Sequence, residues 1–492
     1  LSPRNAQALA LHGFTLAAQN RIAAAQAKFD EALAADSALG NAWLGRGLTK
    51  IRQGRAEEGR IDLQVAATLE PNRALLRSYL GKAFANAKDL EHAERELELA
   101  RRLDPNDPTA WLYSALLAQQ RNQINRGVRD LERSQALNEN RRVFRSRLLL
   151  DQDAAVRGAN LAALYRDAGM VDFARREASR AVDSDYANYS AHLFLAESYD
   201  ALRDPNQVNL RYEAPWLSEL LVANLLAPVG AGTLSQSISQ QEYSRLFERD
   251  RFGLSASTEY RSLGQWDHLS SQFGTFGNTS YALDAEYHQS NGQQPNGDRD
   301  QLTLTAKFKQ QLTPKDSLLV QAIYYDAEAG DLAQYYNHDG ALPGLASPSL
   351  TFRLREKQQP NVFAGWHRAW SPGSHTLFLA GRLHDDFRLA DPNGTTLTYS
   401  RNAAGTITSV VPRGFGVNFD SELEAFTGEL QHIQQAGKHT FIAGARAQAG
   451  ELDNTAALVL RPGSFPGPDV FPTLNQSTSH DLNRYSVYLY DH

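Results

Sequence analysis

The sequence predicts a multidomain α + β chain. An N-terminal α-solenoid precedes a C-terminal antiparallel transmembrane β-barrel that is incomplete at residue 492. Three observations carry this expectation. Near residue 205 the composition changes from Ala, Leu, Arg and Glu to Thr, Ser, Gly, Tyr and Phe, a change from helix formers to strand formers. Before that point, small and large residues recur every 34 positions. After Phe252 the apolar period becomes two, the period of a strand with unlike faces.

Bulk properties narrow the function classes. The 492 residues carry 50 Lys and Arg against 56 Asp and Glu, a net charge of −6. That argues against a general nucleic-acid binder, which shows a basic excess. Mean hydropathy is −0.47, and no run approaches the ~18 apolar residues of a spanning helix. A transmembrane helix is excluded and a barrel is not. Cysteine is absent, so disulfides, thiolate metal sites and cysteine nucleophiles are excluded. The chain starts at Leu1 and holds one methionine, Met170, so its N-terminus reads as processed or truncated.

The repeats come first. Gly13, Gly47, Gly81 and Ala115 are spaced by 34 residues. Twelve positions after each stands a small residue: Ala25, Gly59, Ala93 and Gly127. Phe29, Leu63, Leu97 and Leu131 follow, then Ala32, Ala66, Ala100 and Ser134. Two antiparallel helices approach closely only where small residues meet, and large ones fill the gap to the next pair. Pro71 and Pro105 fall where a helix must stop, and Trp43 and Trp111 open two first helices. This pattern resembles the tetratricopeptide repeat (TPR). Residues 142–154 read as an insertion beside the basic run Arg141, Arg142, Arg145 and Arg147, which reads as a solvated face. A fifth copy resumes with Leu161, Ala162, Tyr165, Ala174, Ala178 and Ala181, and a sixth first helix with Leu195, Ala196 and Tyr199. Such a solenoid presents a groove for a protein partner.

The connector predicts one short helix, from Pro215 to Pro228. Trp216, Leu217, Leu220, Leu221, Leu225 and Leu226 give it a broad apolar stripe. It is too short to span a bilayer. It reads as a cap on the last repeat, with an interfacial helix at the barrel mouth as the other reading.

The last segment predicts roughly ten strands of about nine to fifteen residues, long enough to cross a bilayer when tilted. Phe252, Leu254, Ala256, Thr258 and Tyr260 alternate with polar residues, as do Leu302, Leu304, Ala306 and Phe308. Leu377, Leu379 and Leu383 are expected to share the lipid face, which puts Arg382 inside. Tight turns at 313–316, 371–374 and 435–438 alternate with long polar stretches at 289–301, 327–349, 390–415 and 452–481. Short turns at one end and long loops at the other follow the outer-membrane barrel plan. Tyr260, Tyr324, Trp366, Trp370 and Tyr490 suit interfacial girdles. Asp284, Glu286, Lys307, Lys309, Arg382 and Arg446 are the candidate lumen-facing residues, which would tune a hollow barrel. The three units are a solenoid at 1–205, a connector at 206–250 and a barrel at 251–492.

Catalytic constellations are not visible. There is no phosphate-binding Gly-rich loop, no His-Glu-x-x-His and no Gly-x-Ser-x-Gly. His384-Asp385-Asp386 would alternate across a strand, and Asp391-Pro392-Asn393-Gly394 reads as a turn. No enzyme, cofactor or metal is expected.

In domain order the chain is similar to the exopolysaccharide export porins. That resemblance implies a periplasmic solenoid that docks protein partners or guides polymer, and an outer-membrane barrel, surrounded by lipid, that passes polysaccharide or another solute. The expected function is therefore transport or secretion across a bacterial outer membrane, with no nucleic-acid partner. The alternative is a membrane-anchored receptor or assembly scaffold without a conducting pore.

Overall fold

The computed structural model describes residues 5–141, 147–202, 214–229, 247, 251–337, 341, 347–460 and 474–492. Among them, twelve α-helices form a TPR-like region, and ten strands form one antiparallel sheet.

Helices α1 (Ala6–Ala18) and α2 (Ile22–Ala35) make the first hairpin. Helices α3 (Gly40–Arg52) and α4 (Ala56–Leu69), α5 (Ala74–Asn86) and α6 (Leu90–Leu103), and α7 (Pro108–Gln120) and α8 (Ile124–Ala136) make three more. Small residues hold each crossing. A Cβ on Gly59 would lie 2.4 Å from the Gly47 carbonyl, and one on Gly81 would lie 2.8 Å from Leu97. A Cβ on Gly13 would meet Phe29 at 2.7 Å, and one on Gly127 the Ala115 carbonyl at 3.3 Å. Ala25, Ala93 and Ala115 are fully buried.

The hairpin turns repeat as well. Asn20, Gly54, Lys88 and Asn122 all have positive φ, at 59°, 86°, 63° and 56°. Each sits just past a first helix, where a left-handed residue closes the helix end. Trp43 and Trp111 donate their indole N–H to the carbonyls of Ser37 and Pro105, at 2.8 and 3.0 Å. They pin the loop that enters each helix.

The insertion is partly helical. Residues 147–154 lengthen the next helix, α9 (Arg147–Asp167), to 21 residues. Arg142 and Arg145 lie outside the described residues. α10 (Val171–Ser184), α11 (Tyr189–Ala201) and α12 (Pro215–Leu226) follow. α12 packs on α11 much as each earlier second helix packs on its first.

The strands are β1 (Arg251–Arg261), β2 (Gln265–Phe276), β3 (Thr279–Ser290), β4 (Arg299–Gln311) and β5 (Asp316–Ala329), then β6 (Arg353–Ser371), β7 (Ser374–Arg401), β8 (Ile407–Ala436), β9 (His439–Leu460) and β10 (Leu474–Asp491). They pair in simple sequence order. β1 pairs only with β2 and β10 only with β9 among the described residues, so the sheet is open there.

Two of the expected long loops are largely strand. β7 and β8 stay paired out to Arg401 and Ile407, and β9 runs to Leu460. The β-formers Thr395, Thr396, Thr398, Ile407, Val410 and Val411 favour extended backbone there. The expected turn at 391–394 is a register shift inside β7, with Asp391 accepting from the Asn393 N–H at 3.2 Å. Pro360 sits in a second irregularity, where the β5–β6 and β6–β7 registers shift, a place that tolerates a residue without an N–H.

Candidate functional site

The two faces of the sheet differ. One face shows large apolar side chains to the exterior: Phe252, Leu254 and Val487 are 68, 73 and 87% exposed, and Leu304, Phe308, Leu318 and Leu430 are exposed on the same face. Trp366 and Trp370 lie on it near the tight turns, and Tyr260 and Trp266, 4.8 Å apart, lie near the other end.

The opposite, inner face is partly filled by α12. Leu217 and Leu221 pack with Ile323, Phe363, Leu383 and Ala425. Leu225 and Leu226 pack with Leu319, Leu377, Ile433 and Ile442. Trp216 packs beside Tyr325. A Cβ on Gly365 would stand 2.3 Å from Leu225, so this glycine lets the helix come close. The apolar stripe of α12 therefore meets protein, not lipid headgroups. The helix both completes the last hairpin and enters the concavity of the sheet.

Polar groups fix its far end. The last carbonyls of a helix lack partners within the helix and carry negative partial charge. Lys309, only 2% exposed, donates its Nζ to the carbonyls of Asn224 and Leu225, at 2.6 and 2.7 Å. Asn224 donates its side-chain amide to Gln321, at 3.0 Å.

The candidate inward residues separate into three groups. Asp284, Glu286, Lys307 and Arg446 lie on the inner face by register. Asp284 pairs with Lys307 at 3.1 Å, and Arg446 with Glu429 at 2.6 Å. Lys309 also points inward, but as the anchor of α12 and not as an open lining charge. Arg382 is a correction. It stands opposite Val362 and Phe426 on the outer face, both exposed, and pairs there with Glu424 at 2.8 Å. The expectation failed because Leu377 and Leu383 are buried against α12. An apolar face marks burial against something apolar, and here that is a helix. Arg382 and Glu424 sit where the outer apolar band gives way to His384, Asp386, Arg388, Glu422 and Asp420. No cluster of three metal-ligating side chains occurs among the described residues.

The solenoid lies across the tight-turn end of the sheet. Asn20 donates to the Gly277 carbonyl, Asn278 and Gln311, at 3.2, 3.1 and 3.3 Å. Gln152 reaches the Pro372 carbonyl at 3.5 Å, and Asp183 meets His492 at 3.3 Å. Contacts thus run from the first hairpin to the fifth.

A titratable latch joins α11 to α12. His192 is buried and sets one ring nitrogen 2.8 Å from the Tyr186 carbonyl and the other on the Glu219 carboxylate. Two acceptors favour the doubly protonated ring. Burial pulls the His192 pKa down, but the Glu219 charge and hydrogen bond and the Tyr186 carbonyl outweigh it, so the pKa is raised. Burial pushes the nearby Asp185 carboxyl up to about 6. The apolar stripe of α12 was visible in the sequence; its partner Lys309 was one of several alternating lysines, with no local signal to single it out.

No protein-family model and no curated protein matches the chain. Solved structures similar to it include the APC/C hetero-tetramer Cut9-Hcn1, at 18% identity and a TM-score of 0.39, covering 50% of this chain and 43% of that one. A thermophilic TPR protein of Thermus thermophilus is 19% identical, with a TM-score of 0.34, over 39% of this chain and 98% of that one. Pseudomonas aeruginosa pilF is 16% identical, with a TM-score of 0.33, over 44% and 89%. The chain thus spans less than half the length of the Cut9-Hcn1 chain. No helix among the described residues is long and apolar enough to cross a membrane, which says nothing of strands.

Proposed function

We propose that this chain is an outer-membrane transport or secretion protein whose solenoid, on the periplasmic side, docks a protein partner. The observation that carries the reading is the outer face: a band of exposed large apolar side chains on a sheet whose other face is covered or polar. Water disfavours such a band by about 25 cal/mol per Å² of apolar surface, and lipid does not. The ten strands are then part of a barrel closed at the free edges of β1 and β10, by further strands or a second copy, since lipid tolerates no open edge. In this reading α12 closes the passage toward the tight-turn end, and polysaccharide or a smaller solute is the cargo.

One observation favours a second reading. The inner face beside α12 is bulky and apolar, as in a barrel that serves only as an anchor. Conductance across planar bilayers separates the two. Leu221→Asp places a charge in the apolar contact and should expel α12. Stable channel steps in this variant, with few or none in the parent, support a closed passage. Silence in both, with insertion intact, leaves an anchored receptor or scaffold.

A further inference from the structure

We propose that the inner face of the solenoid at Tyr79 and Tyr113 is a binding site for an aromatic side chain on an extended peptide. Phe247 of this same chain holds that site until a partner peptide displaces it. The inference deepens the protein-docking part of the proposed function and does not depend on membrane insertion.

The register places the two tyrosines. Tyr79 and Tyr113 lie 34 residues apart, each two positions before Gly81 or Ala115. Gly81 and Ala115 face the second helix of their own hairpins. Two positions on a helix are about 200° of rotation, so the tyrosines point away from that helix. They point into the face where the first helices of successive hairpins, α5 and α7, meet. There the rings touch edge to face, with centroids 5.7 Å apart at 69°.

Phe247 completes the arrangement. Its ring lies nearly parallel to Tyr79, at 10° and 6.1 Å between centroids. It is 9% exposed and belongs to the same apolar cluster as the first four hairpins. Yet it is not a solenoid residue: it comes after α12 and four positions before β1. A side chain from outside the repeats is stacked on Tyr79, a repeat residue whose ring Tyr113 braces edge to face from the next hairpin. A tyrosine ring held in place edge to face by a second tyrosine offers its free side as a stacking platform for a further aromatic. Aliphatic and charged side chains gain less from it. A ligand tethered to its own site acts at an effective concentration on the order of millimolar. A free peptide of micromolar intrinsic affinity would therefore meet an occupied site.

The test uses the full chain in detergent and a fluorescent decapeptide copying residues 241–250, which contains Phe247. Binding is read by anisotropy for the parent chain and for Phe247→Ala. The Phe247→Ala chain should bind the peptide at least tenfold more tightly than the parent. A peptide carrying Ala in place of its Phe should not bind, and Tyr79→Leu in the Phe247→Ala background should lose binding. Equal binding to parent and variant, no binding to either, or equal binding of the two peptides would each overturn the proposal. If Tyr79→Leu fails to fold by circular dichroism, the altered peptide still decides. Silent bilayers leave this result untouched, so failure of the transport reading and failure of this one are distinguishable.

Discussion

The Nζ of Lys309 lies 2.7 Å from the carbonyl oxygen of Leu225. That contact joins the fourth strand of the sheet to the last turn of the helix that enters it. The sheet contributes the amine donor, and the helix end contributes the unpaired carbonyls. Lys309→Met keeps the length and apolar character of the side chain but removes the donor. Each of the two hydrogen bonds lost contributes about 0.5–1.5 kcal/mol. Amide exchange along 221–226 should therefore quicken about tenfold or more, while exchange in α3 and α4 stays unchanged.

Gly365 admits Leu225 to the sheet. Gly365→Val would drive a side chain into a space where even a Cβ stands 2.3 Å from Leu225. The helix must then move. Proteolysis between 214 and 229 should become faster in this variant. Leu221→Ala should cost about 2–4 kcal/mol, as cavities do, and loosen the same segment.

Lys88 occupies a left-handed turn position, at φ 63°, where a residue with a Cβ costs roughly 1 kcal/mol more than glycine. Lys88→Gly should therefore raise the solenoid melting temperature, and Gly54→Ala at the equivalent turn should lower it. Gly59→Ala should lower it further, because its Cβ would press on the Gly47 carbonyl. Thermal circular dichroism at 222 nm reads all three.

The α11–α12 latch should weaken as pH rises. His192 has a raised pKa when folded. Its contribution is thus fully present below the usual histidine value of about 6.5 and is lost as pH rises through the higher folded value. Asp185 acts in the same direction at lower pH. Its folded pKa is about 6 against 3.8, so its contribution falls as pH rises between those two values. Exchange protection of residues 186–201 should drop across neutral pH. His192→Gln should flatten the neutral part of that profile.

The outer apolar band predicts asymmetric tolerance to charge. Leu304→Arg, on the exposed face, should cost about 2–4 kcal/mol of membrane insertion if the band meets lipid. Thr303→Arg, on the inner face, should cost far less. Equal tolerance in vesicle-insertion assays would remove the lipid from the picture.

Much of the architecture was legible in the chain alone. The recurrence of Gly13, Gly47 and Gly81 pointed to stacked helical hairpins, because only small residues let two backbones approach. The turn positions Asn20, Gly54, Lys88 and Asn122 share that period too, but their left-handed backbone emerged only in the structure. Alternation marked the strands, because neighbouring side chains on a strand face opposite ways. What each face meets was decided only by the tertiary structure. Leu254 and Leu377 carry the same strand signal, yet one is exposed and the other is buried under α12. A period of two divides a strand into faces without saying which side holds a partner. That choice depends on where a helix from a distant part of the chain comes to rest. The same helix took Lys309 out of the open lining, and the reversed faces of β7 put Arg382 at the rim of the outer band. These are long-range packing outcomes with no counterpart in local spacing.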